Sequence, residues 1–137
     1  MTLVDTGPLV ALFDRRDAAH ARCVSALRRL RGALWTTTPV LTEAFHMLQP
    51  QSRGSDALRE FRARGGLAVW FPNTESLTRA FELMELYRDH PMDLADASLV
   101  AAAESLGTRR IFTLDRSDFL TYRVRRGHRH LPMQIVT

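Results

Sequence analysis

The chain has 137 residues, 45% of them hydrophobic and 25% charged, which suits one globular domain over residues 1–137. All 19 basic residues are arginine and the net charge is +4, which favours a polyanionic partner such as nucleic acid, although a GC-rich genome also replaces lysine with arginine. The absence of lysine excludes a P-loop nucleotide site, and no apolar run approaches the roughly 20 residues that a membrane-spanning helix needs.

The first predicted strand, residues 2–7, is a short apolar run that ends in a carboxylate, a hydroxyl and a glycine. In an open α/β sheet, ligands bind at the carboxyl ends of the strands. We therefore expect Asp5 to face a ligand site, with Thr6 beside it. A lone aspartate at such a position is more often a cap or turn residue, so this prediction depends on partners elsewhere. Residues 8–13 then form a short apolar helix.

A second helix is predicted from Asp17, as its cap, to about Arg31, with an apolar stripe along one side. Residues 34–38 are rich in β-forming side chains, and Pro39 suits the first turn of the helix that follows. Glu43 lies early in that helix, on a different side from its apolar residues. It is the second candidate acid.

The middle of the chain is predicted to be scaffold. Residues 50–54 form a connection, 55–64 a helix and 67–71 a strand. Residues 72–74 then start a strongly periodic helix. Its apolar stripe is predicted to pack in the core or against a second copy of the chain. The stripe consists of Leu77, Ala80, Phe81, Met84 and Tyr87.

Residues 98–106 are so apolar that their helix must be buried on most sides. Just before them, Asp93 is well placed as the N-cap, and Asp96 then falls at the third helical position, near the positive end of the helix dipole. Two acids at a helix start are routine, yet a buried helix would hold one carboxylate rigidly against the sheet. We take Asp93 as a cap or as a residue that supports the site from behind its ligands, and Asp96 as the third candidate acid.

The last part of the chain adds the fourth candidate acid. A predicted strand at 111–114 delivers Thr113 and then Asp115 at its carboxyl end. Asp118 lies just beyond, on a predicted turn. The tail is predicted to close with a loop rich in arginine and histidine and a short strand at 133–136.

Alternating strands and helices predict a mostly parallel central sheet in a three-layer α/β/α sandwich. The candidate acids would then converge at one edge of that sheet. Two carboxylates about 4.5 Å apart repel by about 4 kcal/mol at an effective dielectric constant of about 20, so such a cluster needs protons or a divalent cation. Ligands that are all oxygen favour Mg²⁺ or Mn²⁺ over Zn²⁺, and such an ion suits phosphodiester chemistry.

Four segments together resemble the PIN-domain ribonucleases, and specifically the VapC-type toxins. They are Val4-Asp5-Thr6, Thr42-Glu43-Ala44, Asp93-Leu94-Ala95-Asp96-Ala97 and Thr113-Leu114-Asp115-Arg116-Ser117-Asp118-Phe119. Each segment alone is weak, but the ordered set is fairly specific and spans essentially the whole chain. The resemblance implies a PIN-like fold and a metal-dependent endoribonuclease, usually dimeric, that a cognate VapB-like antitoxin inhibits. The family's active-site acids carry over onto Asp5, Glu43, Asp96 and Asp115, with Thr113 as a hydrogen-bonding neighbour.

An acidic cleft that receives RNA phosphates needs basic residues around its rim. Arg15, Arg16 and Arg116 follow the first helix or a strand end and are the candidate RNA contacts. A second cluster, four arginines between positions 123 and 129, has no predicted position. The one cysteine, Cys23, cannot form an internal disulfide, and the chain start lacks the features of a signal peptide. We therefore expect a cytoplasmic protein without a membrane partner.

Two other classes of function remain open at this stage. An aspartate-nucleophile phosphatase would suit Asp5-Thr6 after a strand, but the chain has no lysine and position 7 is glycine rather than a second aspartate. A non-catalytic RNA- or protein-binding domain with a vestigial site would be expected to have lost an acid, whereas all four are present.

Overall fold

The computed structural model describes residues 1–137. In chain order the elements are β1 (Thr2–Val4), α1 (Thr6–Phe13), α2 (His20–Arg29), β2 (Leu34–Thr37), α3 (Thr38–Leu48), α4 (Arg53–Ala63), β3 (Ala68–Trp70), α5 (Thr74–Leu86), α6 (Leu94–Leu106), β4 (Arg110–Phe112), α7 (Arg116–Thr121), β5 (Arg123–Arg126), β6 (Arg129–Pro132) and β7 (Gln134–Val136). Five strands form the central sheet in the order β3-β2-β1-β4-β7. Every neighbouring pair in that sheet is parallel.

Strand β1 lies at the centre of the sheet because its side chains can be buried on both faces. All three of its residues are buried, as expected for an apolar strand of a parallel sheet. Leu3 pairs with Trp35 of β2 on one side and with Ile111 of β4 on the other. The residues that follow β1, β2 and β4 therefore emerge side by side at one edge of the sheet.

The helices pack in two groups. Helix α1 contacts α2, α3 and α4, whereas α6 contacts α5, α3 and strand β5. Helix α6 is buried along most of its length because alanine and other small or apolar side chains occupy nearly every side of it. Thirty buried side chains form one continuous apolar cluster. This α/β/α arrangement around a mostly parallel sheet confirms the predicted fold class.

The second helix begins later than the sequence predicted. Helix α2 starts at His20, and its N-cap, Ala19, has no side-chain cap. Asp17 is not the cap: its Oδ1 accepts a hydrogen bond from the Ala19 amide at 2.8 Å, and its carbonyl oxygen accepts one from the His20 amide. An aspartate bonding its own backbone two residues on makes a turn, so the chain bends there before the helix begins.

Other boundaries also differ from the prediction. Helix α4 begins at Arg53 because the Ser52 hydroxyl accepts a hydrogen bond from the Ser55 amide and acts as the N-cap. Strand β4 ends at Phe112, two residues earlier than expected. The predicted arginine-rich loop near the C-terminus is instead an antiparallel hairpin of β5 and β6.

The apolar stripe of α5 divides between the core and the surface. Ala80 is buried with Leu83, whereas Leu77 and Phe81 are 37% and 54% exposed. Phe71, just before the helix, is 71% exposed. This part of the molecule therefore presents apolar surface that its own core does not cover. No helix of the structure is long and apolar enough to cross a membrane.

Candidate active site

Asp5 lies where β1 passes into α1, and it is held from both sides. Its backbone amide continues the sheet by donating to the carbonyl of Phe112. Its carboxylate accepts one hydrogen bond from the Thr6 amide at 2.7 Å and another from the Thr113 hydroxyl at 2.8 Å. The side chain is only 8% exposed. These contacts fix the carboxylate at the carboxyl end of the sheet.

Thr113 joins two of the candidate acids. Its hydroxyl donates to Asp5 and accepts a hydrogen bond from the Asp115 amide at 2.9 Å. It is fully buried. Asp115 itself follows β4 at the N-cap position of α7, where its side chain makes no capping bond. The carboxyl group of Asp115 is therefore left for other partners.

Asp93 and Asp96 form a capping box at the start of α6. The Asp93 carboxylate accepts a hydrogen bond from the Asp96 amide at 2.8 Å, and the Asp96 carboxylate accepts one from the Asp93 amide at 3.4 Å. This geometry confirms the predicted N-cap and third helical position. The hydrogen bond that the Asp96 carboxylate accepts is the longer of the two, and it is therefore the weaker.

Glu43 is delivered by helix α3. The Thr37 hydroxyl caps this helix and Pro39 stands in its first turn. Val40, Ala44 and Leu48 are the buried residues of α3, so its apolar side packs in the core and Glu43 lies on another side, half-buried. In that position Glu43 lines the same cleft as the three aspartates.

These side chains meet in one cleft of about 700 Å³ at the carboxyl edge of the sheet. The cleft is lined by Asp5, Thr6, Gly7, Glu43, Met47, Pro91, Met92, Asp93, Asp96, Leu114, Asp115 and Asp118. Six of these twelve residues are acidic and none is basic. The four candidate acids therefore lie together, as do Thr6 and Asp93, while Thr113 supports them from beneath.

Asp118 is a site residue that the sequence did not single out. It occupies the first turn of α7, lines the cleft and accepts a hydrogen bond from Nε2 of His90. The ring of Tyr122 packs edge-on against His90, and its buried hydroxyl has no hydrogen-bond partner. One signal was available in the sequence, since Asp118 follows Asp115 at a spacing that shares a helix face.

Burial and mutual repulsion oppose ionisation of two cleft acids. Burial, only partly offset by the hydrogen bonds from Thr113 and Thr6, raises the pKa of Asp5 to about 6. Burial, followed by the charges of Asp93 and Asp5, raises the pKa of Asp96 to about 8. The neighbouring carboxyl group of Asp118, and then burial, raise the pKa of Asp115, whereas Asp115 and the hydrogen bond from His90 lower the pKa of Asp118.

A divalent cation would fit the donor chemistry of this cleft. The acids supply only oxygen ligands, which Mg²⁺ and Mn²⁺ prefer, and the Thr6 hydroxyl beside them is buried without a hydrogen-bond partner. As the side chains stand, however, no three histidine, cysteine, aspartate or glutamate side chains are grouped closely enough to hold one ion. The carboxylate of Asp96 is turned towards the Asp93 amide, so binding an ion would require this group to turn.

The three candidate RNA contacts occupy two different places. Arg15 and Arg16 line a groove of about 950 Å³ that adjoins the acidic cleft, because Met47 lines both. Arg116 is exposed at the first position of α7, next to Asp115. Neither place is inside the cleft, and the three guanidinium groups flank the acids rather than neutralise them.

A family model described as the PIN domain matches residues 2–124, so the chain belongs to the PIN-domain family. Among known proteins, ribonuclease VapC26 of Mycobacterium tuberculosis (strain ATCC 25618 / H37Rv) is 28% identical over 123 residues, which are 88% of this chain and 91% of that protein. The resemblance that the ordered motifs indicated is thereby confirmed.

Among solved structures, the fold is similar to that of Mycobacterium tuberculosis VapC20, described as a sarcin-ricin loop cleaving toxin. The TM-score is 0.78 at 19% sequence identity, over 86% of this chain and 92% of that chain. At this identity the likeness concerns the fold. It agrees with the mostly parallel five-stranded sheet described above.

Proposed function

We propose that this protein is an endoribonuclease that requires Mg²⁺ or Mn²⁺ and acts as the toxin of a toxin–antitoxin pair. The observation that carries the proposal is the cleft at the carboxyl edge of the sheet, where six acids and no basic residue face one cavity. A fold has no structural need to gather so many carboxylates, because their repulsion and burial oppose ionisation. Similarity to a named ribonuclease over most of both chains supports the same conclusion.

Asp5, Glu43, Asp96 and Asp115 are the residues that would hold the cation. When bound, such an ion activates water and stabilises negative charge on a phosphoryl group in its transition state. Thr113 orients the carboxylate of Asp5, and Asp93 holds the start of α6 so that Asp96 stays at the cleft. Asp118, which His90 holds in place, lies next to Asp115 and completes the acidic wall.

The RNA substrate would reach the acids past the flanking arginines. Arg15 and Arg16 offer guanidinium groups in the adjoining groove, and Arg116 offers one beside Asp115. Guanidinium groups bind phosphate through paired hydrogen bonds. Such contacts would bring the polyanion to a cleft that repels it until a cation is bound.

A cognate VapB-like antitoxin and a second copy of the chain are the proposed protein partners. The exposed apolar side chains Phe71, Leu77 and Phe81 provide a surface for the second copy. We place the activity in the cytoplasm, where the buried thiol of Cys23 would stay reduced.

Incubation of purified protein with total cellular RNA, with Mg²⁺ or with EDTA, tests the proposal. We expect discrete RNA fragments with Mg²⁺ and none with EDTA. Asp56→Asn is the matched control because it removes an exposed carboxylate on α4 that pairs with Arg59, and it should cleave as the wild type does. RNA that stays intact with Mg²⁺ and with Mn²⁺ would refute the proposed activity and favour a binding domain.

A further inference from the structure

The net charge of the chain is concentrated near its C-terminus. The 15 acidic residues all precede position 119, together with 15 of the 19 arginines, so residues 1–118 are formally neutral. Residues 119–137 contain four arginines, Arg123, Arg125, Arg126 and Arg129, and no acid. Their charge equals the +4 of the whole chain. Strands β5 and β6 carry all four of these arginines, and we call residues 123–132 the basic hairpin.

The basic hairpin has an inner and an outer side. Val124 pairs with Leu131, and these two are the buried and half-buried apolar residues that face the protein. Because side chains alternate along a strand, the neighbouring pair of Arg125 and His130 lies on the outer side, and both are exposed. At the tip Arg126 stands opposite Arg129.

Structural roles account for only some of these arginines. The Arg123 guanidinium donates to three carbonyl groups at the end of α7, and that of Arg126 donates to the carbonyl of Gly107 at the end of α6. Both place a cation at a helix C-terminus, which is stabilising. The side chains of Arg125 and Arg129 make no hydrogen bond or ion pair within the protein. Arg129 also stands opposite Arg126, and like charges opposite one another weaken a hairpin. No contact within the protein therefore explains why positions 125 and 129 are arginine.

The basic hairpin runs along α6, away from the acidic cleft. Near the cleft its first amide, that of Arg123, donates to the Tyr87 hydroxyl, and further along the Arg125 amide donates to Glu104. The tip reaches the far end of α6, where Arg126 bonds Gly107. From Asp96 to Gly107 the helix rises about 16 Å, at about 1.5 Å per residue. The exposed side chains of Arg125 and Arg129 therefore lie too far away to touch a phosphate bound in the cleft.

We propose that the basic hairpin is a second RNA-binding surface, which holds the phosphate backbone of the substrate several nucleotides from the bond that is cut. This inference rests on the proposed function, because it assumes that RNA enters the cleft. The exposed side of the hairpin carries the guanidinium group of Arg125 beside the imidazole of His130, and no phenylalanine, tyrosine or tryptophan. The contact of the arginines is to phosphate, which adds affinity and salt dependence without reading base edges.

The double variant Arg125→Gln/Arg129→Gln tests the inference. Binding of a labelled single-stranded RNA of mixed sequence is followed by fluorescence anisotropy in EDTA, so that cleavage does not interfere. The plot of log K against log salt concentration has a negative slope, and the loss of two phosphate contacts should make it shallower by about 1.4. Affinity should fall clearly at low salt. A short oligonucleotide that reaches only the arginines flanking the cleft, Arg15, Arg16 and Arg116, should bind the variant and the wild type equally.

The matched control is Arg28→Gln/Arg62→Gln, which removes the same charge from exposed positions on α2 and α4. It should leave the slope nearly unchanged. An equal fall in slope in both double variants would overturn the inference, since net charge rather than the hairpin would then be responsible. An unchanged slope in the hairpin variant would also overturn the inference. Binding of polyglutamate, measured in the same way, tests the other kind of polyanion. A hairpin variant that still binds RNA but no longer binds polyglutamate would overturn the inference and assign the surface to an acidic protein.

These results separate the inference from the proposed function. A wild type that cuts RNA with Mg²⁺ while the hairpin variant binds RNA normally would leave the nuclease standing and remove the second surface. A wild type that binds RNA through the hairpin but never cuts it would leave the surface standing and remove the nuclease. Circular dichroism of each variant confirms that the fold is retained.

Discussion

At the scale of single residues, Asp5 and Asp96 are the groups whose ionisation the surrounding protein opposes. Burial raises the pKa of both, and their own charges and that of Asp93 add repulsion. Groups held in such an unfavourable state are found preferentially at functional sites. A cation that binds the ionised carboxylates would relieve this cost, so the stability of the protein and its metal affinity are linked through the same residues.

Asp5→Asn should stabilise the protein in EDTA at pH 7.5. The folded-state pKa of Asp5, about 6, lies above the value of 3.8 for a free side chain. Stability from the protonated form is therefore complete below about pH 4 and is lost as the pH rises through 6, by about 3 kcal/mol at about 1.4 kcal/mol per pKa unit. Urea unfolding at pH 4 and 7.5 measures this difference. The free energy of unfolding of the wild type should fall between these two pH values relative to that of Asp5→Asn. If it does not, burial does not oppose the ionisation of Asp5.

Asp96→Asn should lower RNA cleavage by more than about a hundredfold, because it removes a carboxylate from the proposed metal site, whose ion would be worth several kcal/mol to the transition state. It should also fold at least as stably as the wild type, since one repelling charge is gone. Asp93→Asn is the matched control, and it should retain activity within about tenfold because asparagine caps helices as well as aspartate does. Equal losses in initial cleavage rate would mean that the two roles, functional acid and cap, are assigned wrongly.

The sequence predicted the cleft acids because each one has a local signature. Asp5 ends a buried strand and Asp93 begins an apolar helix, and both positions can be recognised without tertiary structure. Asp118 could not be placed in this way, because its partner His90 is 28 residues away along the chain and they meet only after folding. The spacing from Asp115 indicates a shared helix face, but it does not predict the contact with His90.

At the scale of elements, a partly buried ion pair links α5, α6 and β5. The Arg79 guanidinium donates to both carboxylate oxygens of Glu104, at 2.8 and 3.0 Å, and one of these oxygens also accepts from the Arg125 amide. The two side chains are 17% and 12% exposed. Because Glu104 binds both the Arg79 side chain and the Arg125 amide, this pair fixes how the basic hairpin lies along α6.

Glu104→Gln should therefore destabilise the fold by roughly 1–3 kcal/mol, between the cost for an exposed ion pair and that for a fully buried one. Glu60→Gln removes an exposed carboxylate that pairs with Arg64, and it should cost less than about 1 kcal/mol. Urea unfolding of both variants gives the comparison. If the two losses are equal, the Arg79–Glu104 pair does not contribute more than a surface ion pair.

Element boundaries were predicted less well than element types. The sequence placed the N-cap of α2 at Asp17, but an aspartate side chain can stabilise either a turn or a helix start. Here Asp17 accepts a hydrogen bond within a turn that precedes the helix. The hairpin was missed because its strands contain mostly arginine and histidine, which hide the alternation around Val124 and Leu131. Gly127, with a positive φ of 62° at the tip, was the available signal, since two-residue hairpin turns favour glycine.

At the scale of the whole molecule, apolar surface beside α5 lies outside the core. Phe71, Leu77, Phe81 and Leu86 are all exposed. Leu77 and Phe81 are one turn apart on α5 and so lie on the same side of the helix, and neighbouring exposed apolar side chains are typical of interaction sites. Its position on one helix suits a symmetric contact with a second copy, in which the same surface is used twice.

Leu77→Ser/Phe81→Ser should convert a dimer to a monomer without loss of fold, as measured by light scattering in the absence of antitoxin. Leu120→Ser is the control, because Leu120 is also 56% exposed but belongs to α7. It should remain dimeric. A wild type that is already monomeric would contradict the proposed dimer, and a dimeric Leu77→Ser/Phe81→Ser variant would show that the interface lies elsewhere.

The most direct test of the central claim, that the cleft is a divalent-metal site, is a crystal structure of the protein with Mn²⁺, using anomalous scattering to locate the ion. We expect an anomalous peak in the cleft, with oxygens of Asp5 and Asp96 at roughly 2.0–2.6 Å from it and the Asp96 carboxylate turned away from the Asp93 amide. The peak should be absent from crystals of Asp96→Asn. If the cleft shows no peak at saturating Mn²⁺, and Asp5 and Asp96 keep their present hydrogen bonds, the cleft is not a divalent-metal site.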